Sequence, residues 1–144
     1  MRNLIKNYGL YAVWAIALVA TLGSLYFSEI LKLPPCYLCW YQRIAMYPLV
    51  IIGAVGIIKK DLLAWSYLLP FAVVGWLIAL FHNLLYYKIL PEAAVPCVAG
   101  ISCTSKQLQL FGFLDIPLMS LTAFTGIMII LVVYAWMKKN EQRS

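Results

Sequence analysis

Residues 7–28 read NYGLYAVWAIALVATLGSLYFS, 22 positions without a charged side chain. A helix needs about 20 apolar residues to cross the hydrocarbon layer of a bilayer, so this stretch is long enough to span. Three further runs match it, Trp40 to Ile58, Leu62 to Tyr87 and Ile116 to Met137, and the last is also free of charge. Across the 144 residues, 65% are hydrophobic and 11% are charged, a composition that excludes an ordinary soluble globular domain. The sequence therefore predicts an all-α membrane protein: a four-helix transmembrane bundle forming a single domain over residues 1–144, with spans at about 7–28, 40–58, 62–87 and 116–137. Arg2 and Lys6 ahead of the first span resemble a secretory leader. Its apolar core is too long for one and lacks a small-residue cleavage site, so it is expected to be a retained helix.

The formal charge of +6 does not indicate a nucleic-acid partner, because the basic residues cluster at the edges of apolar runs. Arg2 and Lys6 precede the first span, Lys59 and Lys60 separate the second from the third, and Lys138, Lys139 and Arg143 follow the fourth. By the positive-inside rule these three segments face the cytoplasm, which puts both termini there. The connections around Lys32 and from Lys88 to Asp115 then lie on the outer side, and they hold or adjoin all four cysteines, Cys36, Cys39, Cys97 and Cys103. In a bacterium that side is oxidising and lets disulfides persist. Pro48 and Pro70 fall inside spans, where neighbouring helices satisfy the freed carbonyls, so kinks are expected rather than breaks. In the second outer connection, prolines, a glycine and small polar residues predict irregular backbone, followed by the apolar LQLFGF (residues 108–113) as an interfacial anchor.

The stretch PPCYLCWYQR (residues 34–43) carries the chemistry. Two prolines suit a helix start, so Cys36 and Cys39 occupy or adjoin the first turn of the second span and share a face. The partial positive charge of a helix N-terminus favours a thiolate there. Arg43, four residues beyond Cys39, adds a full charge on the same stripe. An intramembrane arginine invites a functional reading, although pairing with Glu29 or snorkelling to the headgroups would also account for it. His82, the single histidine, falls near the outer end of the third span. At about 1.5 Å rise per residue, Arg43 and His82 reach similar depth, so a pocket between the second and third helices could contain both. The aromatics Trp40, Tyr41, Tyr47, Trp76, Phe81, Tyr86 and Tyr87 suit the interfacial belt and helix packing, and some could line a slot for a flat ring.

Cys97 and Cys103 are separated by five residues, a spacing open to a loop disulfide but not a fixed redox motif. Two pairs permit three connectivities; sequence proximity favours Cys36 with Cys39 and Cys97 with Cys103. A four-thiolate zinc site is weakened by the second pair's spacing and by the oxidising side, so no metal is expected. No nucleotide loop, flavin fingerprint or bis-histidine haem arrangement is present. A dithiol that must lose two electrons within a lipid phase has a membrane-soluble quinone as its natural acceptor.

Taken together, CYLCWYQR, the FH of the third span, PCVAGISC and FGFLDIP resemble the DsbB family of disulfide bond formation proteins, most closely its short BdbC-type branch, over nearly the whole chain. The resemblance implies a thiol:quinone oxidoreductase that reoxidises a DsbA-like (BdbD-type) thioredoxin-fold partner and passes electrons to menaquinone or ubiquinone, supporting disulfide formation in exported proteins. It also implies that Cys97 and Cys103 exchange with the partner, Cys97 forming the mixed disulfide, and that Cys36 and Cys39 are the quinone-proximal pair. Cys39 would be the thiolate at the quinone, and Arg43 and His82 would be quinone-binding. Gln42 stands where longer members often have an acid, and the loop cysteines lie closer together here. The alternatives are a reductase like vitamin K epoxide reductase, in which the C-x-x-C belongs to the last helix, and a non-enzymatic membrane adaptor with structural disulfides.

Overall fold

A computed structural model describes residues 2–33, 35–61, 63–89, 109–110 and 114–143. Four helices dominate: α1 (Arg2–Leu25), α2 (Tyr37–Lys59), α3 (Ala64–Tyr86) and α4 (Ile116–Arg143). Four segments are long and apolar enough to cross a membrane: Tyr8–Ile30, made of α1 and the π-helical turn that follows it, Tyr37–Lys59, Ala64–Tyr86 and Ile116–Asn140. The chain is an all-α membrane protein with a four-helix bundle. Consecutive helices pack side by side and α4 closes against α1, giving a ring in chain order. Two-residue strands β1 (Gln109–Leu110) and β2 (Leu114–Asp115) pair antiparallel just before α4.

Local chemistry explains the helix boundaries. The first span runs past its expected end because α1 continues into a π-helical turn, Tyr26–Ile30, where Leu31 N donates to Tyr26 O at 3.2 Å. The second span starts at Tyr37, three residues before the apolar run that predicted it, since Cys36 serves as N-cap with extended backbone (φ −70°, ψ 168°) directly after Pro35. Between α2 and α3 the turn is tight. Lys60 adopts a left-handed conformation (φ 51°) and donates to Gly56 and Ile57, while Asp61 Oδ1 accepts from the Leu63 amide at 2.8 Å. So short a connection makes the two helices antiparallel neighbours. Pro48 and Pro70 sit inside continuous helices and break neither.

Small residues set how closely the helices approach, as expected where lipid removes the hydrophobic drive for helices to associate. A Cβ at Gly56 would lie 2.7 Å from the Ala64 methyl, and one at Gly75 would overlap the Phe124 ring. Phe124, fully buried, is thus seated against bare α3 backbone, with Ala72, Ala79, Leu68, Ile127 and Leu131 around it. That core fixes how α2, α3 and α4 are rotated about their axes. A second, smaller cluster of Cys36, Leu38 and Leu85, edged by Cys39, Ile78 and Phe81, lies at the end where α2 starts and α3 finishes.

Gly75→Ala is expected to destabilise the bundle by about 1–3 kcal/mol through overpacking against Phe124. Gly23→Ala, where an added Cβ meets nothing within 4 Å, is expected to be neutral or mildly stabilising. Unfolding in mixed micelles checks both, and equal effects at the two sites would remove Gly75 from its packing role.

Candidate redox site

Cys36 and Cys39 are placed by the helix start. As N-cap, Cys36 makes no side-chain capping bond, so its sulfur is available to face the bundle, and its carbonyl accepts from the Trp40 amide at 3.1 Å to close the first turn. Cys39, the third helical residue, returns to the same face, and the two Sγ atoms lie 3.0 Å apart. Neither is in a disulfide; Cys36 is buried and Cys39 partly exposed. Beside Cys39 the α2 surface turns outward, with Trp40 and Tyr41 both exposed.

From α3, His82 completes the group. It is 2% exposed, its Nε2 lies 3.8 Å from Cys36 Sγ, and its Nδ1 lies 3.2 Å from Nε2 of Gln42 on α2. The adjacent Asn83 tethers α3 to α4, donating to Ala79 O and Pro117 O at 2.8 Å each. Arg43 is equally buried, but its bonds lead elsewhere. Its Nε donates to Ser24 Oγ and its Nη2 to Ser24 O, both at 2.8 Å, two residues ahead of the π-helical turn of the first span. Its guanidinium carbon also lies 5.5 Å from the Trp40 ring centre, within cation–π range.

The structure thus brings together Cys36, Cys39 and His82, with Gln42 behind the imidazole. Arg43 contacts α1 through Ser24 instead of joining that hydrogen-bonded chain, and Glu29 is not the group that receives it. Cys97 and Cys103, with the loop around them, lie outside the described residues, as does most of LQLFGF. Of the aromatics, Trp76 is committed to packing through a 3.0 Å bond from its Nε1 to Thr125 Oγ1, while Phe81 borders the thiol cluster. Sequence reasoning missed Gln42 and Ser24 as partners. The available signal was that Gln42 and Asn83 are uncharged polar residues inside apolar runs, each next to a residue already singled out. A small cleft lined by Gly9, Leu10, Asp61, Trp65 and Tyr134 belongs to the opposite end of the bundle, away from the thiols.

The two thiols are not equivalent. The hydrogen bond shared with Cys39 and then burial push the Cys36 thiol up from 9.0 to about 12, against a smaller opposing pull from His82. Cys36 therefore keeps its proton at neutral pH. Cys39, at the helix N-terminus and partly exposed, is the more accessible sulfur of the two. The donor atoms of Cys36, Cys39 and His82 all lie within 4.8 Å of one another. Among the described residues these three donors are one fewer than a closed structural zinc site holds, and a dithiol so placed is suited to thiol–disulfide exchange.

Comparison with known proteins places this geometry. The family model for disulfide bond formation protein DsbB matches residues 6–134. The chain belongs to the DsbB family. It is 43% identical over 134 residues to disulfide bond formation protein C of Bacillus subtilis, covering 92% of this chain and 94% of that one. It is 44% identical over 131 residues to probable disulfide formation protein C 2 of Bacillus anthracis, covering 91% and 93%. With a probable disulfide formation protein of Metapseudomonas resinovorans it shares 39% identity over 125 residues, 86% and 87% of the two chains. No solved structure matches the chain significantly. As a DsbB-family member the chain is a multi-pass bacterial membrane oxidoreductase of disulfide bond formation, a family that acts with a thiol oxidase partner.

In the reduced protein, iodoacetamide is expected to modify Cys39 ahead of Cys36 by more than about tenfold at neutral pH. Labelling of Cys36 should climb only as pH rises toward about 12, because its thiolate is populated there and not near 9.0. Peptide mapping across the pH range decides this, and equal rates at neutral pH would show the two thiols to be equivalent.

Proposed function

We propose that the chain is a thiol:quinone oxidoreductase of the bacterial cytoplasmic membrane that reoxidises a DsbA-like, BdbD-type thioredoxin-fold oxidase and delivers the electrons to menaquinone or ubiquinone, supporting disulfide formation in exported proteins. The observation that carries the reading is the unequal setting of the thiol pair. Cys39 is partly exposed between the helix start and the lipid-facing rings of Trp40 and Tyr41, whereas Cys36, 3.0 Å behind it, is buried. A flat, lipid-dissolved electron acceptor can approach the first sulfur and not the second, and the second is in place to complete a disulfide.

In this reading Cys97 and Cys103 exchange with the partner, Cys97 forming the mixed disulfide, and the resulting loop dithiol reduces the Cys36–Cys39 disulfide. Cys39 then gives up the electron pair to quinone, which serves as a two-electron acceptor. Arg43 supports quinone binding: a guanidinium has five N–H donors, and Ser24 takes two of them in the bonds described above. Its charge and the helix start favour negative charge both on Cys39 sulfur and on an oxygen being reduced. His82 borders the same site from behind Cys36. The basic residues Lys59 and Lys60 at the α2–α3 turn, with those at the two termini, support a cytoplasmic location for both termini and an outer location for all four cysteines.

Two purified variants test the proposal. Cys39→Ser is expected to abolish dithiol-dependent quinone reduction in detergent. Arg43→Ala is expected to raise the apparent quinone KM about tenfold or more, with little change in the rate at which the loop pair exchanges with a reduced partner. Ordinary turnover in Cys39→Ser would exclude the electron route, and an unchanged KM in Arg43→Ala would remove that residue from the quinone site.

A further inference from the structure

Closing the Cys36–Cys39 disulfide requires a proton to leave Cys36, and the surroundings make that hard. Cys36 is 8% exposed, shares a hydrogen bond with Cys39, and stays protonated well above neutral pH. The step therefore needs a base within reach. The titratable or charged side chains of the first turns of α2 are Tyr37, Cys39, Tyr41 and Arg43, the two tyrosines exposed and Arg43 turned to Ser24; α3 offers His82 and, one turn on, Tyr86; and β2, just ahead of α4, holds buried Asp115. Apart from Cys39, whose sulfur is the bonding partner, His82 places a basic atom beside the Cys36 sulfur, Nε2 at 3.8 Å, and an imidazole is the side chain suited to exchange protons near neutral pH. Hydrogen bonds of this kind are often long until the reacting complex forms.

We propose that His82 Nε2 takes the proton from Cys36 as the disulfide closes, and that Gln42 is the positioning residue that gives His82 the required tautomer. For Nε2 to accept, the ring proton must sit on Nδ1, and Nδ1 then needs an acceptor. A glutamine amide presents a donor end and an acceptor end at the same place. With its oxygen toward Nδ1, Gln42 holds the accepting form of the ring and then steadies the imidazolium. With its nitrogen toward Nδ1, at the 3.2 Å seen here, the ring carries its proton on Nε2 beside Cys36. A turn of the amide thus serves both proton states, whereas a carboxylate at position 42 would hold one.

The step balances as follows. Cys39, as thiolate, has bonded to an electrophilic two-electron acceptor. The Cys36 S–H proton passes to His82 Nε2, and Cys36 sulfur attacks Cys39 sulfur. The S–S bond forms, the bond from Cys39 to the acceptor breaks, and the electron pair leaves with the acceptor. The imidazolium proton then neutralises that leaving group. The pair loses two electrons and the acceptor gains two. The inference rests on the proposed function only in taking quinone as the natural acceptor, since any electrophile on Cys39 exercises the same proton transfer.

The test uses that independence. Full-length protein carrying Cys97→Ser and Cys103→Ser, reduced and in detergent, is mixed rapidly with 2,2′-dithiodipyridine. The first thiopyridone released reports attack by Cys39, and the second reports closure by Cys36. His82→Gln is expected to slow the second phase about 100-fold, to leave the first within about threefold, and to change the pH dependence of closure. Gln42→Leu should slow closure about tenfold and shift that pH profile, and Gln42→Glu should recover the rate by restoring an acceptor at Nδ1. A second phase unchanged in His82→Gln, or both phases slowed alike, would overturn the proposal. If His82→Gln does not fold, an identical closure rate and pH profile in Gln42→Leu and Gln42→Glu would overturn it. Absence of quinone reduction by the protein with all four cysteines and His82 in place, with closure still dependent on His82, would instead count against quinone as acceptor.

Discussion

The bundle is organised by a solvent constraint: hydrocarbon offers no partner to a buried polar group, so a polar side chain is stabilised there only by a partner inside the protein. Near the start of α2 that requirement is met by a hydrogen-bonded chain running Gln42, His82, Cys36, Cys39 across the α2–α3 seam. Arg43 meets it separately, through both the hydroxyl and the carbonyl of Ser24 on α1. Asn83 meets it with its amide nitrogen alone, which donates to two carbonyls, one of them on α4, while its Oδ1 has no hydrogen-bond partner. Three inter-helix seams are thereby pinned at the end of the bundle that holds the thiols, and the redox pair is held by the same bonds that hold the helices in register.

The helix start creates a difference between two sulfurs three residues apart. Cys36 lies just outside α2, with its side chain turned in against Leu38 and Leu85, and loses contact with solvent. Cys39 lies inside the first turn, where the backbone amides favour negative charge and lipid-facing surface begins. One thiol is kept neutral and the other is kept reactive, which is the division of labour a dithiol needs if one sulfur is to meet an external acceptor and the other is to resolve the product. Evenly exposed thiols would compete for the acceptor.

Packing deeper in the bundle decides whether this arrangement holds. Phe124 can seat against α3 only because Gly75 has no side chain, and Gly56 lets α2 approach Ala64 at the tight turn. These contacts set the rotation of α3 relative to α2 and α4, and with it the direction in which His82 points. A change of rotation by one residue, about 100°, would carry the imidazole away from Cys36. The small residues of the core thus act on the chemistry at a distance, through helix orientation.

What the sequence determined by itself was whatever depends on local composition and spacing. Four uninterrupted apolar runs are enough for four spanning helices, and Pro35 ahead of Cys36 is enough for a helix start with the C-x-x-C pair on one face. The family resemblance, too, was legible in CYLCWYQR and its companions. What only the tertiary structure decided was the partner of each polar side chain. Depth along the helices gave Arg43 and His82 a common level, yet one bonds to Ser24 on α1 and the other to Cys36 and Gln42 on α2, because depth follows from counting residues whereas direction follows from rotation about the helix axis. In a soluble helix an apolar stripe betrays that rotation. Here the lipid-facing and core-facing sides are both apolar, so the rotation is fixed by small-residue contacts and by hydrogen bonds between helices whose partners lie 19 to 49 positions apart, which no local reading of the chain contains.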